Sequence, residues 1–331
     1  MKAGIGAAIF ATCLCASSTL TAQNTQIRGF ADVVTSVEDD EATFGFGEWD
    51  LFITSQLNDR FSFLGETVFK YTPTSATQFS VGVERIIIKF NIAGNHNFLV
   101  GKHHTPLIYW NDTYHHGRVF FPTIYRPLLF DARIIPIHTT GLSFRGQNLG
   151  KLRFGYDLML GNGIGSSEVF DDNKGKSITA AAHFKPVDGL RIGVAYYHDN
   201  IEEGHDGPLD WKVDQSLFTG SVAYFGDKFE VLAEGIVGIN KTDTTGRQQS
   251  LAWYAYGGYK ITEKIVPYVR VDQLRYEAGE IYFHNDNTTS FVGGLRYNVN
   301  YLIAIKAEYE HQKSDLEGDL NKFTVQLAVG F

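Results

Sequence analysis

Four histidines stand as two adjacent pairs, His103-His104 and His115-His116, in a stretch that also holds Asp112. Neutral imidazole is a common ligand for zinc, copper or nickel, so a metal centre is the first chemistry to weigh. Adjacent histidines point different ways, however, and no H-E-x-x-H spacing occurs to set two imidazoles on one helical face. Loop packing or pH-dependent charge accounts for the pairs more simply, and we expect no metal and no cofactor. Serine hydrolysis lacks its G-x-S-x-G elbow, and no G-x-x-x-x-G-K-[ST] loop is present to couple a nucleotide. The two cysteines, Cys13 and Cys15, leave residues 23-331 without a thiolate nucleophile, a disulfide or a cysteine metal site. The expectation is a chain that is not an enzyme and has no catalytic residues.

A second constellation is electrostatic. Arg145, Arg153, Lys185 and Arg191 fall on four consecutive predicted strands, each within a few residues of a short turn. They could line one wall as an anion-selecting device. The simpler reading makes them ordinary solvated lumen bases paired with Asp157 and its neighbours.

The elements that must carry these residues are strands. Phe323, Val325, Leu327, Val329 and Phe331 alternate with Lys322, Thr324, Gln326, Ala328 and Gly330, so one face is greasy and the other polar or small. The same period of two recurs at Phe291 to Asn298 and at Tyr301 to Glu310. Read outward from there, strands are predicted near 27-36, 46-56, 61-71, 78-90, 97-103, 139-148, 152-161, 176-185, 190-199, 212-225, 229-240, 249-260, 265-276, 288-299, 301-312 and 320-331. The count is about 16, with 14 or 18 as the neighbouring solutions. Connections alternate between short turns and long loops, the long ones near 37-45, 72-77, 104-138, 162-175, 200-211, 241-248, 277-287 and 313-319. A soluble β protein has no reason to sort its loops this way, whereas an outer-membrane barrel with periplasmic turns and extracellular loops does.

Composition agrees. Aromatic residues make up 14% of the chain, with 34 glycines and only 2 methionines, a mixture that favours strands over helices. Residues 1-22 read as a secretory signal peptide cut near Ala22: Lys2 is followed by an apolar centre of about a dozen residues, too short to span a bilayer as a helix. The formal charge of −8 makes nucleic acid an unsuitable partner. The fold class expected for 23-331 is all-β, a transmembrane antiparallel up-and-down β-barrel in the bacterial outer membrane.

The two faces then have different solvents. Trp49, Leu51, Ile53, Phe61, Phe63, Phe69, Tyr71, Leu190, Ile192, Val194 and Tyr196 belong to the lipid belt. Glu48, Asp50, Glu66, Lys70, Asp157, Glu230, Glu234, Arg270, Asp272, Arg296, Lys306 and Glu308 belong to the opposite face, and charge inside so wide a barrel implies water there.

The connection 104-138 is far longer than a usual loop and rich in Tyr109, Trp110, Tyr114, Phe120, Phe121 and Tyr125. Such a loop would not stand in water, so it is expected to fold inward. With a long loop after the fifth strand and a terminal Phe331, the chain resembles the sixteen-stranded bacterial porins, and more loosely the phosphate-selective group. That resemblance implies a water-filled passive diffusion channel for small hydrophilic solutes or ions, anions such as phosphate among them. It also implies a lipid bilayer and the barrel assembly machinery as partners, a homotrimer, and Phe331 as the terminal barrel signature. It makes Asp112, His115, His116, Arg118, Arg126, Asp131 and Arg133 candidates for the pore constriction. The lysine-arginine ladder of the phosphate-selective group is not recognisable, so the solute is not carried over. The alternative is a non-conducting structural or partner-binding barrel.

Overall fold

The computed structural model describes residues 24–38, 41–72, 77–114, 117–163, 175–202, 212–283 and 286–331. The expected leader at 1-22 and the pair His115 and His116 lie outside these residues. The first five strands are β1 (Asn24–Glu38), β2 (Glu41–Gln56), β3 (Phe61–Tyr71), β4 (Phe79–Ala93) and β5 (His96–His104). After the long insertion come β6 (His138–Leu149), β7 (Phe154–Gly161), β8 (Ser177–Phe184), β9 (Leu190–Ile201) and β10 (Val213–Phe225). The chain continues with β11 (Phe229–Thr242), β12 (Gly246–Tyr259), β13 (Ile265–Tyr276), β14 (Thr288–Asn300), β15 (Ile303–Ser314) and β16 (Gly318–Gly330). Each strand pairs antiparallel with the next, and β16 pairs back onto β1 to close a sixteen-stranded barrel.

Closure satisfies backbone groups that an open edge would leave bare in lipid. The seam runs from Phe30 opposite Gly330 to Glu38 opposite Lys322. At its end, the Gly29 amide donates to the Phe331 carbonyl at 2.9 Å and the Phe331 amide donates back at 3.0 Å. The terminal residue is therefore the last rung of the barrel, with its ring exposed on the outside.

Alternation sorts the faces as the period of two requires. Trp49, Ile53, Phe61, Tyr71, Val194, Phe291, Leu295, Tyr309, Phe323 and Leu327 are exposed on the outer surface. An apolar exterior of this extent is far beyond what a water-soluble monomer tolerates, and it matches a lipid-facing band.

Three of the expected long loops are tight hairpins instead. Pairing continues to Glu38 opposite Glu41, to Thr242 opposite Gly246 and to Ser314 opposite Gly318. The segments 241-248 and 313-319 are mostly polar, so the apolar alternation fades before them, and in 37-45 the acidic run from Glu38 to Glu41 interrupts it between Val37 and Phe44. A hairpin standing in water needs no greasy face to keep its ladder.

The inside is not uniformly wet. Leu217, Leu232, Ile236, Tyr254 and Leu274, on the inner wall from β10 to β13, form a buried apolar cluster with Leu107, Trp110, Phe121, Leu129 and Phe130 of the insertion. The hydrophobic core of this protein sits within the barrel, between one wall and one loop.

Candidate functional site: the inward loop and the charged lumen

The insertion between β5 and β6 leaves the barrel rim and turns into the lumen. It contains two short helices, α1 (Tyr109–Thr113) and α2 (Leu128–Asp131), and a 3-10 turn at Arg118–Phe120. Its aromatic residues supply the driving force: Trp110 and Phe121 are fully buried, and Trp110 packs edge-on against Tyr254 at 5.9 Å between ring centroids. Burying such side chains contributes about 1.5–3 kcal/mol each.

A buried loop must also satisfy its main-chain groups, and here the barrel wall does so with charged side chains. Glu234 of β11 accepts from the amides of Tyr109 and Trp110, the latter at 3.0 Å. Glu308 of β15 accepts from Ile124 at 2.6 Å, and Asp272 of β13 accepts from Leu128 at 3.1 Å. Lys306 donates to the carbonyls of Arg118 at 2.7 Å and Thr123 at 3.1 Å. Arg270 donates to the Thr123 hydroxyl at 2.7 Å and the Tyr125 carbonyl at 2.8 Å, and Arg296 reaches the Pro122 carbonyl at 3.3 Å. These were the residues read as facing water. They face loop backbone instead, because the loop occupies the volume in front of them.

The opposite wall keeps its charges beside the remaining lumen. Glu48 of β2, Glu66 and Lys70 of β3, and Glu84 and Arg85 of β4 lie there, with Lys70 3.4 Å from Glu48 and 3.7 Å from Glu84, and Arg85 paired to Glu66. A bulge sets this up. Glu66 opposes Arg85 but Thr67 opposes Val83, so Glu84 is the extra residue and two neighbouring side chains both turn inward. His138 lies 3.1 Å from Glu84, and its ring is 5.5 Å from that of His104. Among the described residues no three His, Cys, Asp or Glu side chains converge as a metal's ligands would.

The loop candidates divide between the walls. Asp112 reaches Arg191 at 3.3 Å and Arg145 at 3.5 Å. Burial works against its ionisation, but the two guanidinium groups outweigh burial and hold its carboxyl below the ordinary range. Arg118 lies 3.2 Å from Glu48, its own guanidinium 5.5 Å above the Phe121 ring. Arg126 sits 5.6 Å over Phe130. Asp131 and Arg133 are exposed on the loop, and the walls around Asp131 displace enough bulk water to raise its carboxyl above the ordinary range.

Of the four wall bases, the structure brings two together. Arg145, also paired with Asp157, and Arg191 converge on Asp112, and Arg191 stacks 5.1 Å from the Tyr109 ring. Arg153 and Lys185 sit in turns rather than strands. Arg153 takes a left-handed φ of 47°, pairs with Asp188 at 2.8 Å and donates to the Lys185 carbonyl at 3.2 Å, while Lys185 reaches Asn148 at 3.3 Å. All four belong to the end of the barrel that carries the short turns.

Sequence reasoning missed a second inward segment. After β13, Glu280 is buried and accepts from Asn240 at 3.1 Å and from the Tyr282 amide at 2.8 Å. It holds Phe283 down beside Gly238 and Leu217. The available signal was the apolar run Ile281-Tyr282-Phe283 inside a mostly polar connection.

No family model matches the chain, and no curated protein matches it. Solved structures do. In-vitro folded OmpT in its trimer form, an outer membrane protein of Vibrio cholerae, superposes with a TM-score of 0.67 at 13% identity, over 94% of this chain and 100% of that one. An anion-selective porin from Comamonas acidovorans gives 0.68 at 10% identity, over 93% and 100%. Salmonella typhi OmpF in complex with daunomycin gives 0.63 at 11% identity, over 93% and 97%. The chain has the closed sixteen-stranded barrel fold of outer-membrane porins.

Proposed function

We propose that this protein is an outer-membrane porin, a passive and non-enzymatic channel for small hydrophilic solutes and ions. The observation that carries the reading is the inward loop, anchored along β10 to β15 and meeting the charges of the opposite wall at Arg118–Glu48 and Asp112–Arg145. A barrel of sixteen strands is too wide to be filled by its own side chains, so the loop sets the bore and the facing charges set the ionic preference.

Asp112, Arg118, Arg126, Asp131 and Arg133, with His115 and His116 beside them in sequence, form the constriction in this reading. Arg145, Arg153, Lys185 and Arg191 give the periplasmic half a mild preference for anions, phosphate among them. The preference is mild because Asp112, Asp157 and Asp188 stand against these bases at close range. Export through a leader at 1-22, insertion by the barrel assembly machinery through the end at Phe331, and a homotrimer in the bilayer complete the proposal. The trimer is supported by the trimer form named for the Vibrio cholerae neighbour.

Planar-bilayer recording of the purified, refolded protein tests the reading. Stepwise ohmic conductance in KCl is the expected result. Silence at every voltage and salt concentration would instead favour a structural or partner-binding barrel.

A further inference from the structure

A cavity of about 470 Å³ opens under the loop at the turn end of the barrel, lined in part by Tyr114, Phe120, Phe225, Glu230, Arg296 and Asn298. Two features of its lining are unusual for a water-filled passage. The first is exposed aromatic surface. Phe120 is 49% exposed inside the barrel, and its ring continues into Phe30 at 5.5 Å and from there into Phe52 at 5.6 Å. Tyr114 and Phe225 lie 6.4 Å apart, edge to face. Bare aromatic rings facing water raise the free energy of the folded state unless something covers them.

The second feature is that the charges of the lining cancel at close range. Arg296 grips both oxygens of Glu230, at 2.8 and 2.9 Å, and Lys260 adds a contact at 3.8 Å. Glu263 and Lys264 enter the lining as a neighbouring acid and base. A pair in which one guanidinium nitrogen, Nη2, spans both carboxylate oxygens has little attraction left for a mobile ion, yet its remaining lone pairs and N–H groups still hydrogen-bond. Asn298 adds an uncharged amide to the same lining.

Aromatic faces beside internally neutralised polar groups suit a ligand that is uncharged, has an apolar face and carries hydroxyls at its edge. We infer that this cavity is a subsite for a neutral carbohydrate, a mono- to trisaccharide whose ring stacks on Phe120 and whose hydroxyls meet Asn298 and the Glu230–Arg296 pair. The volume falls within the range of about 300–1,000 Å³ typical of small-molecule sites. The inference deepens the channel reading and rests on it for the route by which the sugar arrives. In transport terms, the subsite would hold a sugar on the periplasmic side of the loop and raise flux at low external concentration.

The test uses the full refolded protein in planar bilayers, with maltotriose and glucose as probes and benzoate as an aromatic anion for comparison. The expected result is a saturable fall in ion current on adding maltotriose to the turn side. Phe120→Ala should raise the half-saturating concentration by about tenfold or more, and Phe120→Tyr should restore it. A fall that tracks only solution viscosity, a Phe120→Ala response equal to the parent's, or saturable block by benzoate but not by sugar overturns the inference. Calorimetric titration of maltotriose into the detergent-solubilised protein separates the two readings. Heat of binding without ion conductance keeps the subsite and removes the channel, and conductance without heat or saturable block does the reverse.

Discussion

The carboxylate of Asp112, on the inward loop, lies 3.3 Å from the guanidinium of Arg191 on the barrel wall. Arg145 approaches its other oxygen at 3.5 Å, so one loop acid answers two wall bases. Asp112→Asn preserves the shape and removes the charge, leaving both guanidinium groups with one counter-charge fewer. Reversal potentials under a KCl gradient should move toward anion preference, and Arg191→Gln in the same background should move them part of the way back. If neither substitution alters the reversal potential, this wall has no part in ion preference.

Two loop carboxyls also titrate on opposite sides of the ordinary range. Asp131, though its surface is exposed, is raised by the surrounding walls that displace bulk water, whereas Asp112, against the effect of burial, is held low by Arg145 and Arg191. As pH falls from neutral, Asp131 takes up its proton before an ordinary carboxylate would, and Asp112 after. For stability the signs differ. The Asp112 link stabilises the fold above the ordinary carboxylate pKa and is lost only as pH drops through its depressed folded value; ionised Asp131 opposes folding, so its protonation adds stability as pH falls through its raised value. A pH series of reversal potentials should therefore show an early step toward anion preference, before ordinary carboxylates titrate. Asp131→Asn should abolish that step and Asp112→Asn should not.

Lys306 is fully buried and spends its ammonium on the carbonyls of Arg118 and Thr123. Replacing it with Met keeps most of the volume, takes from the Thr123 carbonyl its Lys306 donor and leaves the Arg118 carbonyl the Phe121 amide at 3.3 Å, at about 1–3 kcal/mol for a group left unsatisfied. Lys322, which only rests 4.8 Å over the Tyr125 ring, should cost less on the same change, about 0.5–1 kcal/mol. Urea unfolding followed by tryptophan fluorescence ranks the two. Equal midpoints for Lys306→Met and the parent would mean that the wall does not hold the loop.

These anchors explain what the sequence discloses and what it withholds. The sixteen strands were legible because lipid on one side enforces a strict period of two, as in Phe323, Val325 and Leu327 against Thr324 and Gln326. That the loop turns inward was legible from Trp110 and its aromatic neighbours. The wall it meets was not. Leu217, Leu232, Ile236, Tyr254 and Leu274 sit on the polar face of β10 to β13 as traces of a covered inner surface, and an alternation pattern sorts residues by the stronger face only. Glu234, Lys306 and Glu308 have the same spacing whether they meet water or a loop amide; only contacts across more than a hundred residues decide. Arg145 and Arg191 could be placed on one wall, but their meeting at Asp112 depends on the path of the loop.

That path begins at Gly101, three residues before the end of β5. Its φ of +132° lies where side-chain-bearing residues are rare, and a Cβ there would stand 1.9 Å from the Ile86 carbonyl oxygen. Backbone cannot yield as a flexible side chain can, so Gly101→Ala must push β5 away from β4 and shift the base of the loop. Gly293 is the matching control, because it sits mid-strand in β14 with nothing within 4 Å of an added Cβ. We expect Gly101→Ala to lose most of its heat-modifiable folded band on semi-native gels and to leave little protein in the membrane fraction. Gly293→Ala should match the parent in both measurements. A folded Gly101→Ala barrel with unaltered conductance would show that β4 and β5 can separate without disturbing the constriction.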